Sequence, residues 1–394
     1  MITVNEAMNK ILDLFEPLSI ENINLRNAAN RVLAVDAIAN RSQPPFASSA
    51  MDGYAVRNID VKTGRTLRVI GESVAGDAFD GIVKDGEAVR IFTGAPVPVG
   101  ADRILIQEDC NRDGAAIEVR DFIDSNRYIR PAGGDFKAGD VISAPRLLSA
   151  GDIALLASMN CEILQVYRKP SVALIATGDE LVMPGENPGP CQIISSNNFG
   201  LKALIEANGG QARILPIASD EMGSLKAVLE LASQADVIVT LGGASVGERD
   251  LVRAVATEAG FDQAFYKVAM RPGKPLIAGK LNGKAMIGLP GNPVSSMVCG
   301  TVFLIPALRV MLGLGKAQMP REVAALGRDI DRNGSRSHYL RARLTLSDGS
   351  LTCTPQRHQD SSLLSILANS DALLVRDPND PPRKKGEFVE FIRL

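Results

Sequence analysis

The chain has 394 residues, which is more than one ordinary hydrophobic core accommodates, and this length predicts about two to four domains at roughly 150 residues each. Lys and Arg number 43 against 45 Asp and Glu, and aromatic residues make up only 4% of the chain, with no Trp. A formal net charge of -2 gives no reason to expect nucleic acid or an anionic membrane as the partner. The composition favours a small polar ligand.

The five cysteines are widely spaced and there are only two histidines, so the sequence contains no Cys-x-x-Cys pair and no typical zinc ligand set. Scattered cysteines suit a reducing compartment. The first residues lack the basic start and apolar core of a signal peptide, and the apolar region from Val302 to Leu314 is interrupted by Pro306 and Arg309. We therefore expect a cytoplasmic protein without a membrane-spanning segment.

The character of the N-terminal sequence changes at Pro44. Before this point, apolar residues at helical spacing predict a helix over Val4 to Phe15. From there to about Arg130 the sequence is rich in Gly and Asp and has short β-branched runs. Within it, Asn111-Arg-Asp-Gly114 separates two strand-like pieces as a hairpin turn does. This stretch predicts a mostly β domain inserted into the chain.

Strand-like and helix-like segments alternate regularly after Pro170. The predicted strands are Val172 to Ala176, Ala212 to Ile217 and Asp236 to Leu241, and the predicted helices are Phe199 to Ala207, Met222 to Ser233, Leu251 to Ala259 and Val294 to Leu312. Strands that alternate with helices of this length indicate right-handed crossovers and a parallel sheet. The sequence therefore predicts a central α/β domain.

Beyond Pro320 the pattern becomes that of strands again. Leu340, Ala342, Leu344 and Leu346 alternate with polar residues, and Ser347-Asp-Gly-Ser350 follows as a turn. The predicted fold is a multidomain α/β and β protein. Its domains are an extended helical and linker domain (1–44 and 131–168), a β-rich domain (45–130), an α/β domain with a parallel sheet (169–316) and a small C-terminal β domain (317–394).

Acidic side chains follow three predicted strands of the α/β domain. Glu180 follows the first strand, Asp220 the second, and Asp250 ends the glycine-rich loop after the third. The carboxyl ends of parallel strands lie at one edge of a sheet, so these carboxylates can converge, and a Mg²⁺ ion shared with phosphate oxygens would offset their repulsion. Each acid taken singly also suits a helix cap. Their occurrence after three strands favours a common metal site.

Loops at the same predicted edge indicate an anionic ligand. Gly242 and Gly243, followed by Ser245, suggest contact with a phosphate or another oxyanion, although the loop is neither a Walker A nor a Gly-x-Gly-x-x-Gly motif. The glycines alone would also suit a tight turn between strand and helix. Arg271 and Lys274, stiffened by prolines, would supply cationic partners for an oxyanion or would lie on a solvated turn.

The stretch Leu289-Pro-Gly-Asn-Pro-Val-Ser-Ser296 predicts a helix start, because Pro293 suits a first turn whose free amides can face an anion. Neither histidine lies in a recognisable catalytic motif, and the chain has no Gly-x-Ser-x-Gly elbow. Any rate acceleration would therefore come from positioning and electrostatics, which favours transfer chemistry on phosphate or metal-oxygen groups.

Six motifs carry a resemblance to a known family. They are Pro44-Pro-Phe-Ala-Ser-Ser-Ala-Met-Asp-Gly-Tyr-Ala55, Ile91-Phe-Thr-Gly-Ala-Pro96, Arg130-Pro-Ala-Gly-Gly-Asp135, Thr177-Gly-Asp-Glu-Leu181, Gly242-Gly-Ala-Ser-Val-Gly247 and Leu289-Pro-Gly-Asn-Pro293. The sequence resembles the molybdopterin molybdenumtransferase family, which includes MoeA and the gephyrin E domain. The motifs occur in the family's order and cover most of the chain.

The resemblance implies a homodimer of four-domain protomers in which the α/β domain is similar to the smaller molybdopterin-binding proteins. It also implies a reaction in which molybdate is inserted into the dithiolene of adenylylated molybdopterin, the adenylyl bond is hydrolysed with Mg²⁺ present, and AMP is released. Molybdopterin adenylyltransferase and proteins that mature molybdoenzymes are the further partners that the resemblance suggests. It implies no nucleic-acid or membrane partner.

The resemblance also assigns roles to residues. The catalytic acids would be Asp52, Asp135, Asp220 and Asp250, and the metal ligands would be Glu180, Asp220 and Asp250. The substrate would be bound by Thr93, Thr177, Gly178, Gly242, Gly243, Ser245, Arg271, Lys274, Pro290, Asn292, Arg341 and Ser361. Asp52, Thr93 and Asp135 would belong to the partner protomer's side of the cleft, although Asp52 also suits a simple Asp-Gly turn.

Three positions depart from the family pattern. Leu241 stands where Ser is common, Ala47 replaces an acid, and Arg271 replaces Lys, which keeps the charge but presents a planar fork. Two other functions stay open from the sequence. One is a binding scaffold whose dimer displays peptide-binding surfaces, and the other is a related adenylyltransferase on the same α/β fold. The acidic set favours the transferase over the scaffold, and the added β domains disfavour the adenylyltransferase.

Overall fold

The computed structural model of the chain describes residues 1–242 and 251–394, the side chains of 251–253 excepted. It divides into two compact units. The main unit comprises Met1–Glu21, Asn30–Ala34 and Val166–Leu394, and the inserted unit comprises Asn22–Ala29 and Val35–Gln165.

The first helix of the main unit, α1 (Val4–Leu12), begins with a capping box. The Thr3 hydroxyl accepts a hydrogen bond from the Glu6 N–H, and the Glu6 carboxylate accepts one from the Thr3 N–H in return. The apolar face of the helix is buried in the core of the main unit, together with Phe15. The helix predicted over Val4 to Phe15 is therefore present, but it ends at Leu12.

The segment from residue 20 to residue 167 consists mostly of short strands. Its elements are β1 (Ile20–Asn24), β2 (Val32–Leu33), β3 (Ala37–Ile38), β4 (Ser48–Ser49), β5 (Gly53–Val56), β6 (Thr66–Ser73), β7 (Glu87–Ile91), β8 (Arg103–Ile106), β9 (Cys110–Asp113), β10 (Ala116–Val119), β11 (Ile129–Arg130), β12 (Val141–Ile142), β13 (Arg146–Leu147), α2 (Ala150–Ser158) and β14 (Ile163–Tyr167).

The inserted unit is built on a six-stranded sheet with the order β8-β5-β7-β6-β10-β9. Its β9 and β10 strands pair antiparallel from Ala116↔Asp113 to Val119↔Cys110, so the predicted hairpin is present, but its turn is at Gly114-Ala115 and Asn111 to Asp113 belong to β9. Strand β5 lies between β7 and β8, where Tyr54 is paired with both Arg90 and Leu105. Two small apolar clusters, one on each face, hold this sheet.

The α/β part of the main unit follows the predicted alternation. Its elements are β15 (Ser171–Ala176), β16 (Leu181–Val182), β17 (Ile193–Ile194), α3 (Asn197–Ala207), β18 (Gln211–Ile214), α4 (Met222–Leu231), β19 (Val237–Leu241), α5 (Leu251–Glu258), β20 (Phe261–Tyr266), β21 (Met270–Arg271), β22 (Ile277–Leu281), β23 (Lys284–Leu289), α6 (Pro293–Cys299) and α7 (Ile305–Met311).

The sheet order is β18-β15-β19-β23-β22-β20. The first four strands are parallel, as the alternating pattern predicts, whereas β22 and β20 add an antiparallel edge. The Asn282-Gly283 turn joins β22 to β23, and both of its residues have positive φ, at 51° and 79°. Two-residue Asn-Gly turns of this kind form tight hairpins. The sheet is therefore mixed, with the parallel strands at its centre.

A single long helical segment joins the sheet to the C-terminal domain. Helices α6 and α7 are continuous through a π-helical turn at Gly300–Leu304. The whole segment, Pro293–Met311, is long and apolar enough to cross a membrane by length and composition, but 89% of its apolar window is buried inside the protein. It is thus a core helix of the main unit, where Phe303 and Leu308 are completely buried.

The C-terminal domain is a small closed barrel. Its elements are β24 (Glu322–Leu326), β25 (Ser337–Ser347), β26 (Ser350–Pro355), α8 (Leu364–Ala368), β27 (Ala372–Arg376) and β28 (Phe388–Arg393). The order β25-β26-β24-β28-β27 closes on itself because β25 also pairs with β27. Leu340 and Ala342 face its core and Leu344 packs against it, as predicted, but Leu346 is 72% exposed because the core ends before the turn.

Candidate active site

Backbone hydrogen bonds tie together the loops that follow the central strands. The Thr177 N–H and hydroxyl both donate to the Leu241 carbonyl, at 3.1 and 3.3 Å, which joins the ends of β15 and β19. The Gly242 N–H donates to the Leu289 carbonyl at 3.2 Å, which joins β19 to β23. The carboxyl ends of three parallel strands therefore form one continuous edge, which is where α/β proteins bind ligands.

Gly178 makes room for the carboxylate of Glu180. Gly178 has a φ of 140°, and a Cβ at this position would lie 2.2 Å from Glu180 Oε2. Its N–H donates to the Ala218 carbonyl at 3.1 Å, which fixes the turn. The backbone angle favours glycine, and any Cβ at this position would also displace the flexible Glu180 side chain from its present place. The Thr177-Gly178 pair thus sets the position of the acid two residues later.

A cleft of about 640 Å³ opens at this edge, within the range of roughly 300–1,000 Å³ that is typical of small-molecule sites. Seven of the residues predicted to bind substrate or metal line it: Thr177, Gly178, Glu180, Asp220, Gly242, Pro290 and Asn292. Asp179 Oδ1 accepts a hydrogen bond from the Asp220 N–H at 3.0 Å, which links the two acidic loops. The structure therefore brings Glu180 and Asp220 into one cleft although 40 residues separate them.

The start of α3 forms a wall of this cleft, and the sequence analysis did not identify it. Ser195, Ser196 and Asn197 line the cleft, and Asn197 Nδ2 donates to the Gly291 carbonyl at 2.7 Å. The N-cap residue Ser196 makes no side-chain capping bond, and Asn198 is completely buried with no partner for its Nδ2 within residues 1–242 and 251–394. The polar run that precedes Phe199 was the signal in the sequence, because such runs start helices.

The Pro290–Asn292 loop is fixed from both sides. The Ser296 hydroxyl donates to the carbonyl oxygens of Pro290 and Asn292, so this buried serine holds the loop rather than a ligand. Asn292 Nδ2 donates to the Ser361 hydroxyl at 3.1 Å, and the neighbouring Ser362 lines the cleft. The barrel domain thus contributes to the same cleft. Helix α6 begins at Pro293, as predicted.

The two predicted cations of the Met270–Pro275 loop are exposed, and Pro275 at the end of this loop lines the cleft. Gly273 has a φ of 111°, and a Cβ there would lie 2.5 Å from the Cys299 sulfur. The loop is therefore packed tightly against the core helix, and Arg271 and Lys274 lie on either side of the packed glycine.

Arg341 occupies an unusual environment for a residue predicted to bind substrate, because it is completely buried. Its Nη2 donates to the Asp360 carbonyl at 2.8 Å, while Nε and Nη1 have no partner among the residues that the structure describes. Burial lowers the pKa of Arg341 below its usual value, nearby Asp360 acts in the opposite direction, and Arg271 adds to the lowering. A buried guanidinium with two unpartnered donors carries a desolvation cost that an anion would offset.

Three predicted site residues lie in the inserted unit. Asp52 is exposed, and its Oδ1 accepts hydrogen bonds from the Thr93 N–H and hydroxyl, both at 2.8 Å. The two bonds from Thr93 lower the pKa of the Asp52 carboxyl, and the Arg90 charge adds to this effect. Asp135 is also exposed, and its N–H donates to the Gln43 carbonyl at 2.9 Å.

Gly243, Ser245 and Asp250 lie outside the described residues, so the predicted convergence of three acids is tested for two of them only. Over residues 1–242 and 251–394, no group of three or more His, Cys, Asp or Glu side chains is arranged to hold a metal ion. Glu180 and Asp220 are the two predicted metal ligands that the structure places together.

Comparisons with known families agree with this architecture along the whole chain. The family models that match are the MoeA N-terminal region (domain I and II) over residues 2–160, the probable molybdopterin binding domain over 173–310 and the MoeA C-terminal region (domain IV) over 323–394. A molybdopterin molybdenumtransferase from Haemophilus influenzae is 35% identical over 396 aligned residues, which cover 99% of this chain and 98% of the relative. The chain belongs to the molybdopterin molybdenumtransferase family.

Other members of the MoeA family are similar over the same length. A molybdopterin molybdenumtransferase from Nostoc is 32% identical and covers 100% of this chain and 93% of its own length. A crystal structure of the molybdopterin biosynthesis MoeA protein from Pyrococcus horikoshii superimposes with a TM-score of 0.85 at 26% identity, over the full length of both chains. The multidomain fold predicted from the six motifs is therefore confirmed.

Proposed function

We propose that this chain is a transferase of molybdenum cofactor biosynthesis, which inserts molybdate into adenylylated molybdopterin and releases AMP. The cleft that joins Glu180 and Asp220 to the Gly242 and Pro290–Asn292 loops is the observation on which the proposal rests. Curated relatives of the same length carry the name molybdopterin molybdenumtransferase. The substrate of such a reaction has phosphate, nucleotide and oxyanion parts, and the cleft offers polar groups suited to each.

The first task of the site is to hold the phosphate part of the substrate. The N-terminus of α3 contributes Ser195, Ser196 and Asn197 to the cleft, and helix N-termini favour anions through their free amides and dipole. Gly242 has a φ of 91°, and a Cβ there would lie 3.0 Å from the Thr177 carbonyl oxygen. The chain can therefore approach a phosphate closely at this point.

Magnesium fits the two carboxylates that line the cleft. Mg²⁺ in phosphate-transfer sites is commonly held by one or two carboxylates together with water and substrate phosphate, so Glu180 and Asp220 meet the requirement. When bound, the ion would neutralise charge on the phosphate oxygens. Asp250 is proposed as a third ligand from the family resemblance.

The oxyanion substrate requires cations, and the barrel domain holds a buried one. Arg341 carries two unpartnered donors, and its guanidinium interacts electrostatically with Arg271 of the neighbouring loop. Because Arg341 is completely buried, it would act on a dianion such as molybdate through its charge, whereas the exposed Arg271 and Lys274 can contact the ion. We propose Arg271, Lys274 and Ser361 as the direct ligands of molybdate, with Arg341 as the buried charge.

Asp52 is suited to the hydrolytic step. Because its pKa is lowered and it is exposed, the carboxylate is ionised at neutral pH, and Oδ2 has no hydrogen-bond partner among the described residues. A carboxylate with a lowered pKa is a weak base, so Asp52 would act by accepting a hydrogen bond from the water that attacks the adenylyl phosphate and orienting it. We propose that the protein is a cytoplasmic homodimer in which Asp52, Thr93 and Asp135 of one protomer serve the cleft of the other.

Release of AMP is the direct test of this function. The purified chain is incubated with adenylylated molybdopterin and Mg²⁺, with and without molybdate, and AMP and active cofactor are measured. Glu180→Gln and Asp220→Asn should each lower AMP release by about tenfold or more, because each removes a charge from the cleft. Asp348→Asn, at an exposed hairpin turn, is the matched control and should retain full activity.

The outcome also separates the transferase from a binding scaffold. A folded dimer that never releases AMP from the adenylylated substrate contradicts the transferase and favours the scaffold. Loss of AMP release in Asp348→Asn to the same extent as in the cleft variants contradicts the site assignment.

A further inference from the structure

Arg90 is held between two aromatic rings beside Asp52. It lies on β7 directly opposite Tyr54 on β5. Its guanidinium carbon is 5.0 Å from the centre of the Tyr54 ring and 4.8 Å from the centre of the Phe92 ring. Cation–π contacts on two rings restrict the orientation of a guanidinium plane. Arg90 is therefore a fixed cation rather than a mobile surface side chain.

The same guanidinium is hydrogen-bonded to residues on both sides of the Asp52 backbone. Nη1 donates to the carbonyl of Gly53, the next residue, at 3.2 Å, and Nη2 donates to Gln107 Oε1 at 3.0 Å. The Gln107 N–H in turn donates to the Asp52 carbonyl at 3.2 Å. Arg90 thus completes a closed set of contacts around the Asp52 peptide.

The Asp52 turn has little freedom to adjust if this set of contacts is lost. A Cβ at Gly53 would lie 2.1 Å from the Leu105 carbonyl oxygen, so the chain passes directly against the neighbouring strand. Thr93, which holds the Asp52 carboxylate, follows Phe92, one of the two rings that enclose Arg90. Arg90 therefore contacts, directly or through one residue, both the backbone of Asp52 and the segment that holds its carboxylate.

We propose that Arg90 is a positioning residue that fixes the Asp52 turn and the Thr93 segment relative to each other. This inference rests on the proposed function for the catalytic role of Asp52, and the placement itself is independent of it. Arg90 acts through Gly53, Gln107 and Phe92 and does not contact the reacting atoms. Two hydrogen bonds from Thr93 lower the pKa of Asp52, and the positive charge of Arg90 lowers it further.

The test compares Arg90→Gln and Arg90→Lys with Arg68→Gln in the full-length protein. Arg68 lies on the same sheet, pairs with Glu87 and is 71% exposed, so it is the matched control. Arg90→Gln should lower kcat for AMP release about tenfold or more with KM changed less than about twofold, because orientation is lost rather than binding. The acidic limb of the pH profile should move to higher pH. Arg90→Lys should leave the acidic limb at the wild-type pH, because lysine keeps the positive charge. It should still lower kcat, because lysine lacks the planar guanidinium that contacts Gly53 and Gln107.

Amide hydrogen exchange gives a readout that does not depend on activity. Exchange at Gly53, Thr93 and Gln107 should be at least about tenfold faster in Arg90→Gln than in the wild type, and unchanged in Arg68→Gln. Unchanged exchange and an unchanged acidic limb in a folded Arg90→Gln protein overturn the proposal. Full activity in Asp52→Asn would contradict the catalytic role of Asp52. In that case, amide exchange in Arg90→Gln still tests whether Arg90 positions the Asp52 turn.

Discussion

Asp52 Oδ1 accepts two hydrogen bonds from Thr93, one from its N–H and one from its hydroxyl, each of 2.8 Å. Both bonds favour the ionised carboxylate and lower its pKa. A carboxylate with a lowered pKa stays ionised as the pH falls below the ordinary Asp value of 3.8, so activity that depends on ionised Asp52 should persist to lower pH than an unperturbed carboxyl would allow.

Thr93→Val should weaken this effect and Thr93→Ser should preserve it. Valine removes the hydroxyl bond and keeps the backbone bond, so the pKa of Asp52 rises towards its ordinary value and the acidic limb of kcat/KM moves to higher pH. Serine keeps both bonds. The measurement is the pH dependence of AMP release from neutral pH to below 3.8, the ordinary pKa of an Asp carboxyl, because the acidic limb lies there. Identical acidic limbs for the two variants would show that the hydroxyl does not act on the titrating group.

Gly178→Ala should disable the cleft. A methyl group would have to occupy the position 2.2 Å from Glu180 Oε2, at a φ of 140° that side chains rarely adopt. We expect a loss of stability on the order of 1–3 kcal/mol and displacement of the Glu180 carboxylate, with AMP release reduced by about tenfold or more. Unfolding in urea and steady-state kinetics measure the two effects.

Gly223→Ala is the control for this substitution. Gly223 lies in α4 with ordinary backbone angles, and a Cβ there meets nothing within 4 Å. Alanine should leave activity unchanged and should stabilise the helix by up to about 1 kcal/mol. Equal losses in the two variants would contradict the close approach of Gly178 to Glu180 as the cause.

Arg341→Met should remove the response of the protein to molybdate without lowering its stability. The buried guanidinium has two unpartnered donors, so an apolar side chain of similar length should leave the free energy of unfolding unchanged or raise it by about 1 kcal/mol or more. Molybdate alone should raise the thermal midpoint of the wild type relative to chloride at equal ionic strength, and this rise should be lost in the variant.

Arg343→Met is the matched control, because Arg343 is on the same strand with its side chain exposed. It should keep the response to molybdate. If Arg341→Met is strongly destabilised, the guanidinium has a structural role instead. If molybdate still raises the thermal midpoint of Arg341→Met, the proposed role of Arg341 in molybdate binding is wrong.

Much of the fold follows from periodicity alone. The helical spacing of Ala7, Met8 and Ile11 and the alternation of Leu340 and Ala342 were each predicted and are each observed. The hairpin was also predicted, but its turn is at Gly114-Ala115 rather than over Asn111–Gly114. These predictions are correct because the spacing of apolar residues shows directly which side chains of a helix or strand are buried. The antiparallel edge of the central sheet was missed because β20 and β22 are short segments without a distinctive period.

The site was predictable where a motif follows a strand, and less so elsewhere. Glu180, Asp220 and Gly242 follow strands whose order fixes their common edge, so the sequence predicted their meeting in one cleft. The Ser195–Asn197 wall follows β17, a strand of two residues that pairs only with β16. The full burial of Arg341 could not be predicted, because the alternation of β25 assigned it to the polar face. Tyr339, two residues earlier on the same face, is part of the main unit's core, so this face is buried as well.

His338 should make the stability of the protein fall in mildly acidic solution. Burial, together with the charges of Arg271, Arg341, Arg376 and Arg336, lowers the pKa of His338 from 6.5 to about 4, and its Nε2 is buried with no partner in the described part of the chain. Because the unfolded chain binds the proton first, the contribution of His338 is fully present above pH 6.5 and is lost progressively as the pH falls towards 4. At 1.36 kcal/mol per pKa unit, the loss is on the order of 3 kcal/mol.

The measurement is the free energy of unfolding in urea at several pH values between 7 and 4.5, for wild type, His338→Gln and His358→Gln. His338→Gln should show a much flatter dependence on pH, because its amide does not titrate. His358 is the other histidine and is exposed, so His358→Gln should follow the wild type. Carboxylates with lowered pKa values, such as that of Asp236, lose their contribution only at lower pH, so they do not obscure the comparison. Parallel curves for wild type and His338→Gln would show that His338 takes up its proton equally well in the folded and unfolded chain.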